Sequence, residues 1–305
     1  MPAMVILTNL EPMQITMLAI KNAEIQACIN AKGAELSQLY HNGHQLDYLW
    51  NGDPAVWAKH APVLFPIVGT LKNNTYFYKG QSYELPRHGF ARDKQFVVEE
   101  QQTDSAIFLL QSDDTTRKVY PFDFEFRIKY SLYENSLTVT YEVLNTGDGA
   151  MYFSVGGHPA FKLPLAEGTE YSDYYLEFDQ EETAPRWPIS KEGLIETTPK
   201  PLLEQTKRLP LSKELFLSDA LVLKGMSSSI VNLRSDKTPR GLRFDYPGFP
   251  YLGIWAAKNA DFVCIEPWCG IADIVGAGQN LDEKEGINEL APGEQFRRSW
   301  AVTLF

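Results

Sequence analysis

The sequence predicts an all-β chain folded as a large antiparallel sandwich or barrel, on three observations. Hydrophobicity alternates with a period of two over long stretches, and helical stretches are scarce. Candidate strands also recur every ~8–12 residues with Gly, Pro and Asn between them. The clearest alternation runs from residue 122 to 132, where Phe122, Phe124, Phe126, Ile128, Tyr130 and Leu132 share one face. Asp123, Glu125, Arg127, Lys129 and Ser131 share the other, the pattern of a strand with one face on a core and one in water. A turn at Glu134-Asn135 leads into Leu137, Val139, Tyr141 and Val143, so the two runs read as a long hairpin.

Shorter strands follow from the same signals. Residues 75–78 and 82–85 pair across Lys79-Gly80, and 95–100 pairs with 106–111. Further strands are expected at 174–178, 241–245, 251–256, 262–265 and 296–304, with turn signals at Asn42-Gly43 and Asn51-Gly52. Short helical turns are expected only at 211–217 and 283–286. The segment 181–208, rich in Pro, Lys and Glu, reads as a long surface excursion. No linker or composition break divides the chain, so residues 15–305 read as one β domain after a frayed, flexible start at 1–14.

Composition narrows the partner. Among 305 residues, 39 acidic side chains face 28 basic ones, a net charge of -11. Hydrophobic residues at 44% and charged residues at 22% suit a folded globular protein. The acidic balance argues against nucleic acid and against anionic membrane, both of which need a concentrated positive field. A small neutral ligand is expected instead. Cys28, Cys264 and Cys269 cannot form a disulfide framework, which suits a reducing compartment. The five histidines show no ligand spacing with the cysteines, so no metal site is expected. No apolar run approaches ~18 residues, and residues 1–20 hold no Lys or Arg for a signal peptide. A cytoplasmic protein is expected.

No G-x-G-x-x-G, Walker loop, G-x-S-x-G or H-E-x-x-H is present. Polar residues set among glycines and apolar neighbours carry the chemistry instead. In Ser154-Val155-Gly156-Gly157-His158-Pro159, a histidine follows a strand where the backbone turns sharply and a ligand can approach. Its ordinary pKa of ~6.5 lets it give or take a proton near neutrality, or it simply hydrogen-bonds at a strand end. In Cys264-Ile265-Glu266-Pro267-Trp268, Glu266 ends an apolar run, where desolvation raises a carboxylate pKa and makes it a better base. The alternative is a carboxylate paired to an arginine. Trp268 stacks on a sugar face or fills the core. His88 and Arg92 are polar points in a turn after the 75–85 hairpin, and Asp219 is a lone acid entering an apolar strand. Cys264 and Cys269 read as structural. Trp50, Trp57, Trp187 and Trp255 read mostly as packing.

These residues resemble the aldose 1-epimerase (galactose mutarotase) superfamily, its bacterial LacX-like branch above all. The motifs are Gly156-Gly157-His158-Pro159-Ala160-Phe161, Glu266-Pro267-Trp268, His88-Gly89-Phe90-Ala91-Arg92, Leu64-Phe65-Pro66-Ile67-Val68-Gly69 and Phe249-Pro250-Tyr251-Leu252-Gly253-Ile254-Trp255. The likeness runs from about residue 15 to 305. It implies a large β-sandwich of the galactose mutarotase-like supersandwich type, with an open cleft for a monosaccharide. It also implies an isomerase without a cofactor, monomeric or homodimeric, that opens the pyranose ring by acid–base catalysis. By motif, Glu266 takes the proton from the anomeric hydroxyl and His158 protonates the ring oxygen. His88 and Asp219 bind hydroxyls, and Arg92, Lys72 and Trp268 complete the expected sugar contacts. The family pattern places a basic residue directly after Val68-Gly69, where this chain has Thr70. Two alternatives stand beside a free-sugar epimerase. One is a hexose-6-phosphate 1-epimerase using Arg87, Arg92 and Lys72 on the phosphate; the other is a non-catalytic carbohydrate-binding protein.

Overall fold

The computed structural model describes residues 16–305, so the expected flexible start at 1–14 lies outside the described residues. The fold is mostly β, and every pairing between its strands is antiparallel. Its largest sheet has nine strands, with Lys200–Pro210 and Tyr174–Arg186 at one edge and Ser105–Gln111 and Val97–Gln101 at the other. The expected hairpin lies inside this sheet as Phe124–Tyr133 and Ser136–Asn145, with Glu134 in the left-handed region at the turn. Along Phe124–Tyr133 the predicted alternation is realised: Phe124, Phe126, Ile128, Tyr130 and Leu132 are all buried.

Against the inner face of this sheet lie two others. A six-stranded sheet runs Leu221–Lys224, Tyr251–Trp255, Phe262–Cys269, Val155–Gly157, Val63–Leu64, with Ala160–Lys162 also paired to Phe262–Cys269. A four-stranded sheet is built from Met17–Lys21, Ile25–Asn30, Glu35–His41 and Leu46–Asp47. Phe65 stacks on Phe126 at 4.5 Å between ring centroids, and the Tyr130 hydroxyl donates to the Ala34 carbonyl at 2.6 Å. The core between the layers is continuous from Leu18 to Leu304. Asn42-Gly43 turns the Glu35–His41/Leu46–Asp47 hairpin, whereas Asn51-Gly52 sits in a loop without flanking strands.

The 181–208 segment corrects the sequence reading. It is not a loop: Tyr174 starts a strand that continues to Arg186, and the chain returns as Lys200–Pro210 beside it. Three register shifts between Glu177 and Arg186 break the period-two pattern, which is why the sequence hides this strand pair. Glu182, buried within it, accepts the backbone N–H groups of Ser227 and Ser228 at 3.3 and 2.6 Å. Only residues 187–199 loop out, and they return over the six-stranded sheet, where Trp187 bridges to Val222 and Ile195 to Ile274.

Candidate active site

The strand Phe262–Cys269, buried along its whole length, is the floor of the site. Strand alternation puts Cys264, Glu266 and Trp268 on one face. Its neighbours supply glycines opposite, with Gly253 paired to Glu266 and Gly156 to Trp268. A Cβ on Gly253 would sit 2.4 Å from the Trp268 ring, and one on Gly156 2.8 Å from it. The two glycines therefore let the indole lie across both flanking strands beside the Glu266 carboxylate.

His158 is delivered by the strand Val155–Gly157. A Cβ on Gly157 would meet the Tyr141 hydroxyl at 2.8 Å and Trp300 Nε1 at 3.0 Å. Trp300 donates to Tyr141 at 2.9 Å, so this strand rests directly on the nine-stranded sheet. The imidazole is then held among rings: Trp57 stacks on it at 5.2 Å, and Trp255 and His88 approach edgewise at 5.5 and 5.8 Å. His158 Nε2 lies 3.3 Å from Glu266 Oε2. Glu266 is 1% exposed and His158 8%.

His88 faces them from a turn in which His88 and Gly89 both have positive φ. A Cβ on Gly89 would lie 2.3 Å from the Phe65 carbonyl oxygen, so only glycine fits there. His88 donates its backbone N–H to the Gly69 carbonyl at 2.8 Å, and its Nδ1 accepts the Gly69 N–H at 3.1 Å. That bond fixes the tautomer: the proton is on Nε2, available as a donor.

Glu266, Trp268, His158 and His88 line a cavity of about 340 Å³ together with Arg87, Arg92, Asp219, Lys59, Trp57 and Trp255, a size in the range of small-molecule sites. Arg87 pairs with Asp219 at 3.4 Å, and Arg92 donates to the Arg87 carbonyl at 2.8 Å. Asp219 also accepts the Ala220 N–H at 2.7 Å, capping the strand that follows. Burial pushes the Glu266 carboxyl well above the usual carboxylate range, with Arg87 opposing and Asp219 adding to the rise. Burial likewise lowers His158 to about 3 and holds His88 well below the ordinary histidine value.

The far wall comes from the 187–199 loop, through Ile189, Gly193 and Ile195, with Ala220, Val222 and Ala272 beside them. Thr70 is buried under this loop, where a Cβ on Gly193 would lie 2.6 Å from its Oγ1. Asp273 ties the wall together. Its N–H donates to the Thr70 carbonyl, its own carbonyl accepts the Ile195 N–H, and its carboxylate accepts the Lys72 N–H at 2.9 Å. The Lys284 ammonium donates to the same carboxylate at 2.8 Å.

Of the residues singled out in the sequence, Glu266, His158, His88, Asp219, Arg92 and Trp268 thus converge on one cavity. Lys72 does not line it; its ammonium donates to the Ala277 carbonyl at 3.3 Å on the other side of the Thr70 loop. Trp57 and Trp255, expected mostly as packing, do pack against the core and also line the cavity around His158. The sequence alone gives no sign of the Ile189–Ile195 wall or of Asp273.

The sequence model of the family described as Aldose 1-epimerase matches residues 16–288. The chain belongs to the aldose 1-epimerase family. It is an isomerase acting on carbohydrates. Among curated relatives, the chromosomal Protein LacX of Lactococcus lactis is 33% identical over 297 residues, covering 94% of this chain and 99% of that protein. The X-ray structure of a galactose mutarotase related enzyme from Lactobacillus acidophilus superposes with a TM-score of 0.88 at 38% identity, over 95% of this chain and 97% of that one. A galactose mutarotase-like protein from Lactobacillus casei gives a TM-score of 0.90 at 29% identity, over 95% and 100% of the chains. In this epimerase the described residues contain no helix long and apolar enough to cross a membrane.

Proposed function

We propose that this epimerase interconverts the α and β anomers of a free hexose such as galactose or glucose, with Glu266 as base and His158 as acid. One observation carries the reading: a carboxyl and an imidazole 3.3 Å apart, both buried, at the floor of a sugar-sized cavity. Mutarotation takes one proton from the anomeric hydroxyl and gives one to the ring oxygen, after which C1–C2 rotation and reclosure invert C1. It has no net redox change. The pair needs one proton between them throughout, on His158 before ring opening and on Glu266 after it. The buried, substrate-free pair favours neutral imidazole and neutral carboxyl. That is the protonation state reached once the ring has opened. The His88 Nε2–H is a ready donor to a sugar oxygen, and Asp219 and Arg87 offer a paired acceptor and donor for hydroxyls.

The cations at the cavity support a neutral substrate over a phosphorylated one. Arg87 is paired with Asp219, Arg92 lies 3.8 Å from Asp93, and Lys59 lies 3.8 Å from Glu35. A phosphate would have to share these cations with carboxylates already beside them. Polarimetry of freshly dissolved α-D-galactose and α-D-glucose tests the reading. Acceleration that disappears in Glu266→Gln and His158→Asn is expected. Acceleration of glucose 6-phosphate alone would select the phosphosugar reading, and tight sugar binding without acceleration would select a binding protein.

A further inference from the structure

One buried group near the proposed acid–base pair is unused by it: the thiol of Cys264. Cys264 stands two residues before Glu266 on the same strand face and pairs in register with Ala160, two residues after His158. Two chain segments thus meet so that one ligand atom each from His158, Cys264 and Glu266 lies within 4.8 Å of the others. Among the described residues this is the one such group of three His, Cys, Asp or Glu side chains. Two of its members line the cavity, so a fourth position is reachable by water or by a sugar hydroxyl.

We propose that this epimerase has an inhibitory site for a thiophilic divalent cation of the zinc class, formed by Cys264, His158 and Glu266. The inference rests on the acid–base role of His158 and Glu266 for its effect on activity, but not for the binding itself. Three protein ligands of mixed S, N and O type with one open position suit a tetrahedral Zn²⁺ ion. The thiolate and imidazole select against Mg²⁺ and Ca²⁺, which demand oxygen shells. On binding, the thiol and the carboxyl each release a proton to solvent, and the two negative charges cancel the charge of the ion in a buried site. The 3.3 Å separation of His158 Nε2 from Glu266 Oε2 already matches two ligands of one small ion. With both groups held by the metal, neither can exchange a proton with the sugar. The metal-loaded enzyme therefore does not turn over sugar.

The test separates binding from catalysis. Equilibrium dialysis of the full chain against Zn²⁺, with Mg²⁺ as control, is expected to show one ion more per chain in the wild type than in Cys264→Ala. Affinity should fall by more than about 30-fold in Cys264→Ala and Cys264→Ser, since even outer-shell partners of a metal are worth about 10–100-fold. In polarimetry, Zn²⁺ should slow the wild type, a chelator should restore it, and Cys264→Ala should turn over sugar while resisting the metal. Thermal melting of each variant confirms that it is folded. Co²⁺ added to the wild type supplies a readout free of any variant, a thiolate-to-cobalt charge-transfer band. Equal Zn²⁺ binding by wild type and Cys264→Ala, or no thiolate band with Co²⁺, would overturn the proposal. Binding without acceleration of any sugar would leave the metal site standing and remove only the mutarotase reading.

Discussion

Asp273 and Lys284 form an ion pair of 2.8 Å whose side chains are only 4% and 3% exposed. The pair sits behind the cavity rather than in it, and Asp273 spends its remaining hydrogen-bonding groups on the Thr70, Lys72 and Ile195 backbones. It positions the apolar wall. Asp273→Asn leaves an ammonium buried without its counter-charge, which costs about 3–5 kcal/mol. Chemical denaturation should show that loss. Steady-state kinetics should show KM rising more than kcat falls, because the proposed acid–base pair lies elsewhere. Asp273→Asn with Lys284→Met should recover stability, as no buried charge then remains. A variant with wild-type KM would show that the wall does not depend on this pair.

Gly193 gives a second handle on the same wall. Its φ of +82° is strained for any residue with a Cβ, and that atom would press on Thr70. Gly193→Ala should cost about 1–2 kcal/mol from the left-handed backbone alone. It should also shift Ile189 and Ile195, so KM rises while kcat stays near the wild-type value. Pairing it with Thr70→Ala relieves the contact but not the backbone strain, so KM should recover further than stability does.

The legible parts of the fold are those where one face meets water. Phe124–Tyr133 and Ser136–Asn145 announce themselves by alternation, and the structure keeps the predicted register of faces. Phe262–Cys269 is buried on both faces, so its apolar run could be read as a strand only as far as residue 265. The bulged pair Tyr174–Arg186 and Lys200–Pro210 loses its period beyond the expected strand at 174–178, so 181–208 reads as a loop. At the site, Glu266 and His158 stood out because charge and imidazole interrupt apolar and glycine neighbours. Asp273 did not, because its importance lies in four hydrogen-bonding partners from three separate segments. Trp57 is legible only in part for a related reason: it packs against the core as expected and also walls the cavity, and only its tertiary contact with His158 shows the second role.

Glu266 should be costly to keep. Its folded-state pKa is raised by burial, so between the ordinary carboxylate value and that raised value the folded state holds more protons than the unfolded one. Stability then falls as pH rises through this window. Glu266→Gln removes the effect, and its melting temperature should exceed that of the wild type at neutral and alkaline pH. The gap should close as pH falls toward ~4, where both states of the wild type are protonated. The same variant should lose about 10²–10⁴-fold in kcat. A variant that is slower but whose advantage over the wild type is no larger at pH 8 than at pH 4 would contradict the buried, proton-holding carboxyl.

The pH dependence of kcat/KM tests whether Glu266 and His158 act as one unit. Burial lowers His158 to about 3 and raises Glu266, so between about 3 and the raised Glu266 value the free pair carries a single proton. Two coupled groups titrate in macroscopic steps that belong to the pair. Below about pH 3 a second proton is added and Glu266 can no longer accept one from the sugar. Above the raised value of Glu266 the shared proton is lost, and nothing remains to protonate the ring oxygen. The rate should therefore be level between those two limits, with the fall on the high-pH side set by the loss of the shared proton. Independent groups would behave otherwise, with an acid limb near ~4.3 and a second break near ~6.5. Finding those two ordinary values would separate the residues, and the 3.3 Å approach would then be packing rather than chemistry.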